Sequence, residues 1–327
     1  LIELGVTHLI TIGGEDTAYT ASRVADYAMN RRGLTISFAH IPKTIDNDLP
    51  LPEGIPTFGF ETARSLGTQL VSNLMEDAKT TGRWFIAVAM GRTAGHLALG
   101  MGKSAGATVT VIPEEFPLGE PVPMSLIVDI LTGAIIKRLA SGRKYGVAVV
   151  AEGLLERIRE EDLEALSCIE HDDHGHVRYA EISFSSVLKR EVQANLATLG
   201  IKMDITNKEI GYEVRCAPPN AFDIEYTRNL GFAAIEFLKE GGTNAMVSIQ
   251  NNMIVPIPFD EIKDPETGKT RVRRVNTKSI QYRIARQYMI RLEKKDFEPG
   301  LEFVQLAVAA HMSPEEFRER FEYVTRY

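Results

Sequence analysis

Apolar runs rich in Val, Ile and Phe alternate along this chain with amphipathic stretches of helical length. That alternation limits the folds open to it more than any other feature. The runs are HLITIGG (8–14), ISFAHIPKT (36–44), RWFIAVAMG (83–91), ATVTVIPEE (107–115), GVAVVAEG (146–153) and NAMVSIQN (244–251). Helical patterns lie at 17–31, 60–80 and 94–105. Strands that are apolar throughout and separated by helices belong to βαβ units, in which helices cover both faces of a parallel sheet. Ligands of such sheets bind at the carboxyl ends of the strands, so the polar residues that follow the runs are the first candidates for function.

The 327 residues, 44% hydrophobic and 25% charged, suffice for two domains with cores or one large one. No apolar run approaches the roughly 20 residues that cross a bilayer, and no membrane partner is expected. A net charge of −7 argues against a nucleic-acid surface, which needs clustered Lys and Arg. Positive contacts to an anionic ligand must therefore be local. Cys168 and Cys216 are the only cysteines, which points to free thiols and a cytoplasmic location; burial is the default for Cys216.

Four strand ends carry polar clusters. In GGEDT (13–17), Gly13 and Gly14 permit close backbone approach, and a helix starting near Thr17 presents free amides to an anion. Glu15 and Asp16 suit such a site if Mg²⁺ bridges carboxylate and phosphoryl oxygen. Taken alone, the motif is better read as a strand-to-helix turn capped by Asp16 or Thr17. In PKTIDND (42–48), Asp46 has the chemistry of a general base toward an alcohol and Lys43 that of a charge clamp, with Thr44 and Asp48 beside them. An Asx-type turn at 46–48 ahead of the prolines is the plainer use of these residues. MGRTAGH (90–96) offers the Arg92 fork, or simply glycines that pack tightly. Glu152, after the run ending at Ala151, is suited to sugar hydroxyls or to capping a helix.

Taken in order, GGEDT, PKTIDND, MGRTAGHLAL, PEEF, AEG and GYEVRCAPPNAFD resemble the phosphofructokinase family over roughly residues 5–260. The resemblance implies an α/β fold of two similar, interleaved parallel-sheet (Rossmann-like) domains with the active site in the cleft between them. It implies that Asp46 deprotonates the 1-hydroxyl of fructose 6-phosphate, with Thr44 and Asp48 beside it. Thr44, Ile45, Asp46, Met90, Gly91, Arg92, Glu152, Tyr212 and Arg215 would contact the sugar phosphate. Arg83 holds the position from which family members reach into a neighbouring subunit's site, so a homodimer or homotetramer with shared sites is implied.

Family members that use ATP usually have glycine where this chain has Asp16 and Lys43, and the pyrophosphate-dependent ones have Asp and Lys. The resemblance thus implies pyrophosphate as donor, held by Gly14, Asp16 and Lys43, with Mg²⁺ held at Glu15. The Asp16 side chain would fill space that a nucleotide's α-phosphate needs, and Lys43 would neutralise a terminal phosphate. The other readings are an ATP-dependent phosphofructokinase and a non-catalytic sugar-phosphate-binding subunit. Subunits of that last kind tend to lose the base, and Asp46 is present.

The family also begins with a strand and a Gly-rich phosphate loop, so the resemblance implies native chain upstream of LIELGVTHLI. A boundary in the proline-rich PLGEPVPMS divides the chain into a phosphoryl-donor domain (1–122) and a sugar-phosphate domain (123–327), with C-terminal helices able to return to the first. HDDHGH (171–176) suits a solvated loop better than a metal site, and His96 a packed helix start. KDPETGKTRVRR (263–274) reads as a turn-rich surface hairpin or loop without chemistry, and SPEEFRERFEY (313–323) as a helix capped by Ser313.

Overall fold

The structure is a computed structural model and describes residues 1, 3–33, 36–164 and 183–327. The strands are β1 (His8–Gly13), β2 (Ser37–Thr44), β3 (Phe58–Gly59), β4 (Trp84–Ala89), β5 (Val109–Val111), β6 (Gly146–Ala151), β7 (Ile205–Ile210), β8 (Ala245–Gln250) and β9 (Met253–Pro258). The helices of the first half are α1 (Glu15–Arg32), α2 (Phe60–Thr81), α3 (His96–Ala105), α4 (Met124–Ala140) and α5 (Glu160–Glu164). They continue as α6 (Phe184–Thr198), α7 (Tyr212–Arg215), α8 (Ala221–Lys239), α9 (Phe259–Ile262), α10 (Ile280–Tyr288), α11 (Leu301–Ala309) and α12 (Pro314–Phe321). Among the described residues no helix is long and apolar enough to cross a membrane.

Two compact units form. The first joins Leu1–Ser65 to Val214–Arg274, the second Leu66–Glu213 to Val275–Tyr327. These units do not follow the division at 122: the carboxy-terminal helices pack with residues 66–213, and MGRTAGH lies outside the unit that holds GGEDT and PKTIDND. The chain passes from one unit to the other three times: inside α2 and inside α7, where no Pro/Gly-rich linker marks the crossing, and after Arg274 in irregular chain.

In the first unit the sheet runs β1-β2-β8-β9, with β3 added to the end of β2. β1, β2 and β8 are parallel, whereas β9 returns antiparallel to β8. The return is a two-residue turn through Asn251 and Asn252, both at positive φ (51° and 61°) as the tightest hairpin turns require. Side chains of β2 alternate between two cores. Phe38 joins Ala18, Ala21 and Ala25 of α1, while Ala39 and Ile41 meet Leu230, Ala233 and Ala234 of α8. The small residues of both helices allow close helix-to-sheet approach.

The second unit holds an all-parallel sheet, β5-β6-β4-β7. Every residue of β4 and β6 is buried, as central parallel strands require. α4 is buried from Met124 to Ile136 except at Ser125, so it shows none of the one-sided polarity that marks a surface helix. Phe297, Phe303, Phe317 and Phe321 form an aromatic cluster in the same core. α12 starts as expected from its sequence: Ser313 and Glu316 make a reciprocal capping box.

Candidate active site

In the first unit, β1 and β2 pair in register with Gly13 opposite Pro42, so both strands end at the same edge. GGED therefore lies beside KTID. A Cβ placed on Gly14 would stand 3.6 Å from Thr44 Cβ, the ordinary distance of packed neighbours. Gly14 is the N-cap of α1 and supplies no capping side chain to the helix's first turn. The N-cap expected at Asp16 or Thr17 is thus displaced to Gly14. Glu15 is half-buried, Asp16 and Lys43 are exposed, Thr44, Ile45 and Asp46 are half-buried, and Asp48 is buried. The Thr44 hydroxyl takes part in the turn that follows β2: it accepts the Asp46 N–H at 3.1 Å. Asn47 then adopts φ 57°, and its Oδ1 accepts the Thr57 N–H at 2.9 Å.

Two buried groups support this edge. Asp223, fully buried in the first turn of α8, accepts the N–H groups of Gly59 (3.0 Å) and Thr62 (2.8 Å) and the Thr62 hydroxyl (2.5 Å). It thereby satisfies amides at the start of α2 that the helix itself cannot bond. His40 is fully buried on β2, its Nδ1 2.9 Å from the Thr11 hydroxyl. Burial lowers its pKa from 6.5 to about 4, against a weaker opposing contribution from the Gly13 backbone.

Unfolded chain consequently takes up a proton at His40 between pH 6.5 and 4 that the native protein does not, and stability falls as pH drops through that window. His40→Asn should flatten this dependence by up to about 3 kcal/mol, read from denaturation midpoints at the two ends of the window. An unchanged slope would contradict the burial of a neutral ring.

In the second unit β4, β6 and β7 end together, with Ala89 opposite both Ala151 and Ile210. Met90 donates its N–H to the Ile210 carbonyl at 2.9 Å, and Glu152 Oε2 accepts the Gly91 N–H at 3.0 Å. The Glu152 carboxylate thus fixes the MGR turn, a use that neither sugar binding nor helix capping anticipated. A Cβ on Gly153 would fall 2.8 Å from the Arg92 carbonyl oxygen, so the two turns touch backbone to backbone and glycine is required. Both oxygens of Glu114 accept the Gly95 N–H (3.0 and 3.2 Å) at the start of α3, giving the PEEF motif a structural part. Arg92, Tyr212 and Arg215 are exposed, and Met90 is half-buried. Glu213 accepts the Gly211 N–H at 3.1 Å and pairs with Lys208 at 3.0 Å; its pKa is lowered, with backbone and Lys208 bonds outweighing burial.

Arg83 stands apart from these groups. It precedes β4 at the amino end and lies 3.7 Å from Asp204, whereas Gly91 follows the carboxyl end, roughly 25 Å further along the extended chain. Among the described residues no group of three or more His, Cys, Asp or Glu gathers to hold a metal. Cys216 is exposed, not buried as expected, and HDDHGH and Cys168 lie outside the described residues.

Residues 1–238 match the phosphofructokinase family. The chain belongs to that family. Among proteins similar to this phosphofructokinase-family chain is the pyrophosphate--fructose 6-phosphate 1-phosphotransferase of Naegleria fowleri, 49% identical over 334 residues, all of this chain and 76% of that protein. The protein of the same name from Thermotoga maritima is 48% identical over 330 residues, covering 99% of this chain and 77% of its own. A crystal structure of pyrophosphate-dependent phosphofructokinase from Nitrosospira multiformis matches 95% of this chain and 69% of its own with a TM-score of 0.64 at 16% identity, a likeness of fold.

Proposed function

We propose that this protein transfers a phosphoryl group from pyrophosphate to the 1-hydroxyl of fructose 6-phosphate, giving fructose 1,6-bisphosphate and phosphate, as a cytoplasmic enzyme. The reading is carried by one adjacency: the β1 end with Glu15 and Asp16 lies beside the β2 end with Lys43, Thr44 and Asp46. It is supported by relatives of that name almost half identical along the whole chain.

Asp46 accepts the proton of the 1-hydroxyl as the oxygen bonds to a terminal phosphorus of pyrophosphate. The bond from that phosphorus to the bridging oxygen breaks, and phosphate leaves. Little covalent work falls to the protein, so alignment and neutralisation of charge supply most of the rate. Lys43 and the first-turn amides of α1 at Gly14 oppose the donor's charge, with Asp16 beside them. Met90, Gly91, Arg92, Glu152, Tyr212 and Arg215 hold the sugar phosphate, with Thr44 and Ile45 next to the base.

Mg²⁺ fits the donor end. Its usual protein ligands are one or two carboxylates, with phosphates and water completing the shell, and adjacent Glu15 and Asp16 at a strand end provide hard oxygen atoms of that kind. Glu15 would hold the ion, with Asp48 beside the assembly, and the ion would neutralise phosphoryl charge. Conversion of fructose 6-phosphate and magnesium pyrophosphate to the bisphosphate, and its reversal with phosphate, tests the reading. Absence of both reactions in folded protein would overturn it.

Arg83 completes the proposal through a second subunit of a homodimer or homotetramer. The length of β4 separates it from the strand end of its own chain where Gly91 stands. Mixing inactive Asp46→Ala and Arg83→Ala proteins under subunit exchange should restore part of the activity, because some hybrid sites contain both residues. No recovery despite demonstrated exchange would count against shared sites.

A further inference from the structure

Immediately after Asp46 the chain runs through residues 47–55 without regular structure, and three prolines (Pro50, Pro52, Pro56) deprive this stretch and its end of amide donors. Four of its carbonyl groups are bonded by one side chain. Arg273 donates Nε and Nη2 to the Asn47 carbonyl (3.0 and 2.8 Å), and Nη1 to those of Leu51 (3.2 Å), Pro52 (3.1 Å) and Ile55 (2.7 Å). Nη2 also donates to Asn47 Oδ1, the atom that receives the Thr57 N–H. The backbone is fastened at the same place, since the Arg273 N–H donates to the Asp48 carbonyl at 2.6 Å.

The guanidinium is well placed in charge as well as in shape. Burial lowers its pKa to about 10 against the opposing charge of Asp48, and it remains a cation at neutral pH. Its rigid fork of donors meets carbonyls from both ends of the loop, which the flexible ammonium of lysine does not match. Asn47, at φ 57°, is the joint between the Thr44 turn that sets Asp46 and the buried Asp48. Arg273 holds that joint on its carboxyl side.

We infer that Arg273 is a positioning residue for phosphoryl transfer, clamping residues 47–55 so that Asp46 and Asp48 stay in place at the end of β2. The inference rests on the reading of Asp46 as the base. It assigns a role within a segment whose polar, turn-rich sequence suggests only a surface hairpin or loop.

The test compares Arg273→Ala and Arg273→Lys with wild type in kcat, KM for fructose 6-phosphate, amide hydrogen exchange and urea midpoint. Misplacement of a catalytic group by about 1 Å costs on the order of 10²-fold, so kcat should fall by that order in Arg273→Ala while KM moves less than about threefold. Exchange should quicken at 47–57 without quickening in β4 and β6, and guanidinium ion added to Arg273→Ala should restore part of kcat.

Should Arg273→Ala fail to fold, Arg273→Lys carries the test with a loss of about tenfold or more, because it keeps the charge and loses the fork. Folded Arg273→Lys with kcat within about twofold of wild type, or a loss that merely follows the folded fraction, would overturn the inference. Asp46→Asn separates this from the underlying reading. If that variant alone remains active, Asp46 is not the base, whatever Arg273 does to the loop. If it is inactive while Arg273→Lys behaves as wild type, the positioning role alone fails. If both singles lose activity, adding Arg273→Lys to Asp46→Asn should cost little more, and fully multiplicative losses would contradict action through Asp46.

Discussion

Asp46→Ala or Asp46→Ser should lower kcat by ~10²–10⁴-fold, the contribution typical of general-base catalysis, with fructose 6-phosphate binding largely intact. The Thr44 hydroxyl accepts the Asp46 N–H at 3.1 Å, a bond to the backbone that replacement of the side chain leaves in place. Loss of activity without loss of binding would then report on proton transfer. Steady-state kinetics with a separate measurement of sugar-phosphate affinity checks this. A variant that keeps more than about a tenth of wild-type kcat would remove Asp46 from the role of base.

The second large effect concerns the donor. Pyrophosphate offers no adenosine to hold, so its binding must come from charge, whereas ATP can draw on apolar contacts. Asp16 and Lys43 both project from exposed positions at adjacent strand ends, where a change of side chain disturbs little packing. Lys43→Gly should chiefly abolish turnover with pyrophosphate. Asp16→Gly should relieve crowding near a nucleotide's α-phosphate and allow some use of ATP. Variants in which Lys43→Gly leaves pyrophosphate turnover untouched and Asp16→Gly admits no ATP would assign donor choice to other residues.

The legible parts of the sequence were those whose environment is uniform. β4 and β6 are buried on both faces and read as unbroken apolar runs. β7 escaped because it is an edge strand in which Lys208 and Glu209 face solvent, and β9 because Pro256 and Pro258 are tolerated only at a sheet edge. α4 escaped for the opposite reason, having too little polar surface to show a helical period.

The strand-end motifs were readable because parallel strands deliver their polar termini to one edge, which the Gly13–Pro42 and Ala89–Ala151 registers bear out within each sheet. The supporting groups were not. Asp223 caps a helix whose amides lie far away in sequence, and Arg273 bonds carbonyls more than two hundred positions earlier. Nothing local distinguishes either side chain from an ordinary charged surface residue. The unit boundaries were hidden likewise, because two of the three crossings fall within helices and the third, after Arg274, at the end of the polar stretch KDPETGKTRVRR.

The most direct measurement is kcat/KM of the unmodified protein with magnesium pyrophosphate and with magnesium ATP, at saturating fructose 6-phosphate. Asp16 and Lys43 predict efficient turnover with pyrophosphate, reversible on addition of phosphate, and little or none with ATP. A higher kcat/KM for ATP than for pyrophosphate would contradict the account.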